Sequence, residues 1–208
     1  MVENQLRPNR IDDPAVLQAM GAVPRERFLP KALHGVAYAD EDLVLQDGSF
    51  LIDSLVLARM LQTAAIRPGE VVLVAGCATG YVSAVVARLA GTVISIQQDH
   101  AVVERIQPAL DQLEADNVVA TVRPDPLAGD PEQAPFDLIL LIGRVPAVPK
   151  ALLEQLGDDG RLLAVVEDGR VGKGTLYTRH QGAIGHRVMF DAQLPPLPGQ
   201  IHQPDFAF

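Results

Sequence analysis

The residues best placed to do chemistry here are small ones. Gly76-Cys77-Ala78-Thr79-Gly80 stands between the apolar run VVLVA (71–75) and the helix-forming run YVSAVVARLA. A strand that turns through glycine into a helix lets the backbone approach a ligand, which the free N–H groups of the helix start then face. The loop lacks the G-x-G-x-x-G dinucleotide fingerprint, and its compact G-x-A-x-G form suits a nucleoside or amino-acid moiety better than a pyrophosphate. Any tight β–α connection also favours glycine, so the loop takes its meaning from its surroundings.

In nucleotide-binding sheets an acid about twenty residues further on, at the end of the next strand, holds the ribose hydroxyls. That strand is TVISI (92–96), and the residue 21 positions after Gly76 is Gln97. An amide still bonds a hydroxyl but without charge assistance. Neutral hydrogen bonds contribute about 0.5–1.5 kcal/mol against about 1.5–3 for charged ones, so the exchange costs roughly tenfold in affinity. Asp99, the nearest acid, stands where a helix N-cap for HAVVERI belongs. Asp125, in Arg123-Pro124-Asp125-Pro126 just past the third strand, is placed either to meet an adenine amino group or simply to close a loop between two prolines.

Other chemistries find less support. The histidines His34, His100, His180, His186 and His202 show no H-x-x-x-H spacing, and the single Cys77 excludes a multi-cysteine metal site or an internal disulfide. There is no G-x-S-x-G nucleophile elbow. Cys77 has no cation near it in sequence to lower its pKa, so a small packing role suits it better than reactivity.

The elements that must hold these residues alternate. Asp12-Asp13-Pro14 starts a helix over AVLQAM that Gly21 interrupts, and AYADEDLVLQDGS (37–49) reads as irregular. Asp53-Ser54 caps a helix LVLARMLQTAAI that stops at Arg67-Pro68-Gly69. Strands at 71–75, 92–96, 118–122, 136–142 and 161–166 then alternate with helices. The helix HAVVERIQPALDQLEA should kink at Pro108, and PKALLEQL ends at the turn GDDG. Such alternation predicts a Rossmann-like α/β fold, a doubly wound seven-stranded sheet that is mostly parallel with one antiparallel strand. GTLYTRH and AIGHRVMF around Gln181-Gly182 read as a hairpin, and the tail QLPPLPGQIHQPDFAF as an extended strap. The predicted plan is one domain, with a helical N-terminal cap at 1–50, a core at 51–170, and the hairpin and Pro-rich tail at 171–208.

Composition narrows the partners. With 208 residues, 48% of them hydrophobic, the chain can bury both faces of a sheet, and with 4% aromatic residues aliphatic side chains must fill it. A net charge of −9 without basic clusters argues against nucleic acid. No apolar stretch of membrane-spanning length and no signal-like start are present, so no membrane partner and a cytoplasmic setting are expected. A small cofactor and a protein or peptide substrate remain, with the oligomeric state left open.

Taken in order, these segments resemble the protein-L-isoaspartate O-methyltransferase family over residues 1–170. The resemblance is carried by VPRERFLP (23–30) with AYADEDLVL (37–45), by LVLARML before the first strand and by GCATGY. It is carried also by the block APFDLILLIGRVPAVPKALLEQLGDDGRLLAVV (134–166). The ending VMFDAQLPPLPG is similar to a shorter bacterial branch with a variable active site. The resemblance implies the class I S-adenosylmethionine-dependent methyltransferase fold and methyl transfer to the carboxylate of isomerised Asp, with S-adenosylhomocysteine as product. It implies cofactor contacts by Gly76, Ala78 and Gly80, by Gln97 at the ribose and by Asp125 near the base.

Three positions depart from the family pattern. Val74 stands where an acid ends the first strand, Gln97 replaces the ribose acid, and Phe50-Leu51-Ile52 replaces a Thr-Ile-Ser step. Ile52 therefore occupies the family's substrate-binding Ser position, and Ser49 and Ser54 are offset from it. The expected function is a cofactor-binding carboxyl methyltransferase with impaired isoaspartyl activity. The alternative is a non-catalytic methyltransferase-like protein acting as a protein-binding module. A nucleotide-dependent oxidoreductase would need the phosphate-gripping fingerprint that the loop lacks.

Overall fold

The computed structural model describes residues 1–76 and 79–197. After short helical turns at Val2–Leu6 and Arg7–Asn9, helix α1 (Pro14–Ala22) starts where Asp13 Oδ1 accepts the Ala15 and Val16 N–H groups at 2.8 and 3.2 Å. Gly21 does not interrupt it. The buried stripe Val16, Leu17, Ala19 and Met20 holds the helix to the core through its last turn, outweighing the weak helix propensity of one glycine.

The segment 37–49 is more regular than its acidic sequence suggests. Strands β1 (Leu43–Val44) and β2 (Phe50–Leu51) pair antiparallel, Leu43 opposite Leu51 and Val44 opposite Phe50. Asp47 Oδ1 accepts the Ser49 N–H at 3.0 Å and closes the turn between them. Helix α2 (Ser54–Ala64) follows directly, capped by Asp53 Oδ1 on the Leu55 and Val56 N–H groups at 2.8 and 2.9 Å.

The body is built from β3 (Val71–Gly76), α3 (Tyr81–Ala87), β4 (Thr92–Gln97), α4 (His100–Gln112), β5 (Val118–Val122) and β6 (Phe136–Val145). It continues through α5 (Lys150–Glu154), β7 (Leu156–Asp168), β8 (Val171–His180) and β9 (Ala183–Ala192). The strands form one seven-stranded sheet in the order β5-β4-β3-β6-β7-β8-β9. Only β8 runs against the others, being antiparallel to both β7 and β9, as the sequence predicts. Helix α4 runs on through Pro108 without a break. The expected turn GDDG lies within β7: Phe136 pairs with Leu156 and Leu138 with Arg161, so residues 157–160 form a bulge beside β6. Gln181 and Gly182 turn β8 into β9 with φ of 49° and 79°, the left-handed pair that a two-residue hairpin turn requires.

Apolar residues cover both sheet faces. On one, Val72, Val74, Leu138 and Leu140 meet α2, α3, α4 and the N-terminal segment. On the other, Leu73, Ile94, Ile139 and Leu141 meet α5 and Leu197. The N-terminal segment thus shares its core with the sheet. Its firmest attachment is polar. Arg25, fully buried, donates from Nε to the Ala37 carbonyl at 2.6 Å and from Nη2 to the Ile52 carbonyl at 2.8 Å. The same guanidinium lies 5.0 Å from the centroid of the Tyr81 ring, which Phe28 meets edge-on at 5.7 Å. Burial pushes the Tyr81 hydroxyl up to about 12 despite the opposing pull of Arg25.

Two predictions follow from this attachment. Arg25→Met should destabilise the chain by about 3–4 kcal/mol in denaturant unfolding, because two buried carbonyls lose their donor. A loss below about 1 kcal/mol would mean the cap is held elsewhere. Asp42, whose Oδ1 accepts the Asp53 N–H at 2.7 Å, is pushed up from 3.8 to about 6 by burial, partly offset by that hydrogen bond. Between those values the folded chain holds a proton that the unfolded chain releases, so the stability from this group is full below the window and lost as pH rises through it. Asp42→Asn should therefore stabilise the protein at pH 8 by on the order of 1–2 kcal/mol, allowing for partial exposure, and change little near pH 3.5. Thermal melts at the two pH values check this, and an equal effect at both would contradict it.

Candidate functional site

Strand β3 has β4 on one side and β6 on the other, so the chain reverses its winding direction there, and the crevice of an open α/β sheet lies at the carboxyl ends of such strands. Gly76 ends β3 and Gln97 ends β4. Val74 pairs with Ser95, so both strands stop two residues beyond the same rung. Gln97 in turn pairs with Val122 of β5, and its carbonyl accepts the Arg123 N–H at 2.8 Å. The Arg123–Asp125 turn therefore emerges beside Gln97. Three of the sequence-derived site residues, Gly76, Gln97 and Asp125, thus reach one edge of the sheet.

Each is held by local geometry. Gly76 has φ of 123°, and a Cβ there would strike the Ile142 carbonyl and come within 3.0 Å of Leu197 Cδ2, so no side chain is tolerated. Gly80 has φ of 81° and starts α3; its missing Cβ lets Ile106 of α4 close in, at 2.9 Å from where that atom would be. Asp99 caps α4 by accepting the Val102 N–H at 2.9 Å, the structural task its position suggests. Asp125 Oδ1 accepts the Leu127 N–H at 2.9 Å and starts the helical turn Pro126–Ala128. Cys77 and Ala78 lie outside the described residues. Among the described residues no group of His, Cys, Asp or Glu could hold a metal ion, and no helix is long and apolar enough to cross a membrane.

Gln97 is only 3% exposed. Its Nε2 donates to Ser95 Oγ at 2.8 Å, and Ser95 Oγ meets Ser83 Oγ of α3 at 2.7 Å. Gln97 Oε1 is buried without a hydrogen-bond partner. A carbonyl oxygen in that state costs about 1–3 kcal/mol relative to a hydrogen-bonded one.

The Phe50–Asp53 segment comes to the same region through Arg25, which spans from the Ile52 carbonyl to the Tyr81 ring at the start of α3. The Ile52 side chain is fully buried and offers no donor. Neither neighbouring serine is aligned to replace it. Ser49 Oγ donates to Asp47 Oδ1 at 2.5 Å, and Asp47 is also paired with Arg105. Ser54 Oγ is buried in the first turn of α2 without a partner. Asp53 is occupied as a helix cap. Val74, only 4% exposed, packs in the same apolar cluster as Ile52.

Sequence reasoning passed over four residues of this region: Arg25, Tyr81, Ser95 and Leu197. Ser95 had a readable signal, being the one polar residue inside the strand run TVISI beyond its opening Thr. Arg25 and Leu197 had none, since their partners are distant in sequence. Leu197 is fully buried because its segment joins the end of β6, with Arg144 N–H donating to Pro195 O at 2.9 Å and Leu197 N–H to Arg144 O at 3.2 Å. The remainder of the Pro-rich tail, 198–208, lies outside the described residues.

Known proteins resemble this chain over most of its length. The family model described as protein-L-isoaspartate(D-aspartate) O-methyltransferase matches residues 1–195. A protein-L-isoaspartate O-methyltransferase of Koribacter versatilis is 33% identical over 199 residues, covering 96% of this chain and 89% of that protein. One of Methylorubrum extorquens is 42% identical over 167 residues, covering 80% and 72%. A solved protein-L-isoaspartate O-methyltransferase superposes with a TM-score of 0.83 at 25% identity, covering 96% of this chain and 67% of that one. A beta-aspartate methyltransferase of Plasmodium falciparum, in complex with S-adenosyl-L-homocysteine, shares the fold at a TM-score of 0.78 and 20% identity, covering 94% and 95%. With a family model matched over nearly its whole length and full-length relatives at a third identity, the chain belongs to the protein-L-isoaspartate(D-aspartate) O-methyltransferase family.

Proposed function

We propose that this protein is an S-adenosylmethionine-dependent methyltransferase that acts on carboxylates of protein or peptide substrates, with little activity on isoaspartyl residues themselves. The observation that carries the cofactor assignment is the orphaned Gln97 Oε1 at the carboxyl end of β4, beside the glycine turn that ends β3. The residues present fit the group. Gln97 would accept a ribose hydroxyl and Asp125 would meet the base, with Gly76, Gly80 and Ala78, the last outside the described residues, as the turn beside them. When bound, S-adenosylmethionine supplies an electrophilic methyl group on a sulfonium.

The chain's own part in such a transfer is positioning. A carboxylate is already an anion, so no general base is required, and the rate depends on holding it in line with the methyl group. That is where the departures act. The aliphatic Ile52 side chain presents no hydrogen-bond donor, and its carbonyl already accepts from Arg25. A carboxylate brought against it loses water without gaining a partner, which is unfavourable for an unpaired charge. The loss of two acids, at Val74 and Gln97, weakens the hold on the cofactor without abolishing it.

Calorimetric titration with S-adenosylhomocysteine tests the cofactor reading. Binding is expected, and Gln97→Glu should tighten it roughly tenfold by restoring a charged acceptor. No binding by the unmodified protein would favour a non-catalytic, protein-binding relative. Unchanged or weaker binding in the variant would remove Gln97 from the ribose. For the acceptor, transfer of a radiolabelled methyl group to an isoaspartyl peptide should be near background. It should rise at least tenfold in Ile52→Ser, since one well-placed donor to a charged group is worth about that much. Both proteins must bind S-adenosylhomocysteine for the comparison to count, and robust turnover by the unmodified protein would refute the assignment.

A further inference from the structure

Ser95 is difficult to explain as a core residue. It is fully buried between Ile94 and Ile96, opposite Val74, and its hydroxyl serves no backbone group in the described hydrogen bonds. Burying a hydroxyl among aliphatic side chains is unfavourable unless its bonding capacity is used. Here it is used on both sides, by Ser83 Oγ at 2.7 Å and by Gln97 Nε2 at 2.8 Å.

We propose that Ser95, backed by Ser83, is a positioning residue that holds the Gln97 amide at the end of the strand so that its unpartnered Oε1 meets the cofactor's ribose; this rests on the cofactor reading above. Residues two apart on a strand share a face, so Ser95 and Gln97 both point toward α3, from which Ser83 reaches down. A free glutamine side chain has three rotatable bonds, and ordering them on binding would consume much of what one neutral hydrogen bond contributes. The Ser83–Ser95 pair makes that arrangement before the ligand arrives. One end of the amide is satisfied inside the protein, and the other, Oε1, is left without a partner. The serines thus compensate in part for the missing carboxylate charge by pre-organising the neutral group in its place.

The test separates this positioning role from general damage to the fold. Dissociation constants for S-adenosylhomocysteine and for its 2′,3′-dideoxy counterpart are measured with the unmodified protein, Ser95→Ala and Ser83→Ala. The unmodified protein should prefer the ribose-bearing ligand by about tenfold. In Ser95→Ala that ratio should fall toward one, with binding of the dideoxy ligand unchanged, and Ser83→Ala should lie between. A ratio maintained in Ser95→Ala overturns the proposal, as does equal weakening of both ligands, which marks Ser95 as merely structural. Absence of binding by the unmodified protein overturns the cofactor reading itself. Binding without preference for the ribose-bearing ligand leaves the cofactor reading intact and removes the role of Gln97, and of Ser95 with it.

Discussion

The guanidinium of Arg25 is the constraint on which the arrangement of this site depends. The N-terminal segment is built from one nine-residue helix, short helical turns and a hairpin of two residues per strand, none of which can stand alone. Apolar packing against the sheet gives it adhesion without direction. Arg25 supplies direction: a rigid fork with one arm on the Ala37 carbonyl, another on the Ile52 carbonyl, and its face toward Tyr81. Those contacts set where the Phe50–Asp53 step lies relative to the helix that leaves the glycine turn. Burying that charge is costly, and two carbonyls and an aromatic face offset it. A less specific apolar contact would let the cap slide, and with it whatever meets a substrate.

From that fixed point the site is assembled by strand ends rather than by long loops. Gly76, Gln97 and the turn at Asp125 follow β3, β4 and β5, whose register is locked by parallel pairing. Leu197 packs from the opposite sheet face and closes on Gly76, so the first residue of the glycine turn is enclosed by this chain's own C-terminal segment. Positions held by a sheet move little, which suits a reaction whose catalysis is mostly alignment.

Three positions that depart from the family pattern, Val74, Gln97 and Ile52, are proposed to set the polarity of the site. Each exchanges a charge or hydroxyl in the family pattern for a neutral or aliphatic group, and all three side chains are buried. The framework of a methyltransferase is kept. Ile52 and Val74 belong to the apolar core that holds the sheet together, so an aliphatic side chain at either position is compatible with the fold.

Local chemistry made most of the framework legible in the sequence. The strand runs, the Asp13, Asp53 and Asp99 caps, the Gln181-Gly182 hairpin and the glycine turn are each decided by a few adjacent residues, and periodicity needs no partner to be read. The family-pattern positions Val74, Gln97 and Ile52 could be counted along the chain for the same reason. What sequence could not supply depends on residues far apart. Helix α1 passes Gly21 because tertiary burial outweighs local propensity, the 157–160 turn is absorbed as a bulge because β6 is there to pair with, and 43–51 forms a hairpin inside an acidic stretch. The same holds for the site: Arg25 meets Ile52 across 27 residues, Ser83 meets Ser95 from another element, and Leu197 returns to Gly76 from the far end of the chain. Sequence determined which groups exist and which elements carry them. Only the tertiary structure decided that Gln97 would be held by a buried serine pair with one oxygen unsatisfied, because burial and hydrogen-bond satisfaction are properties of a packed environment and of no single segment.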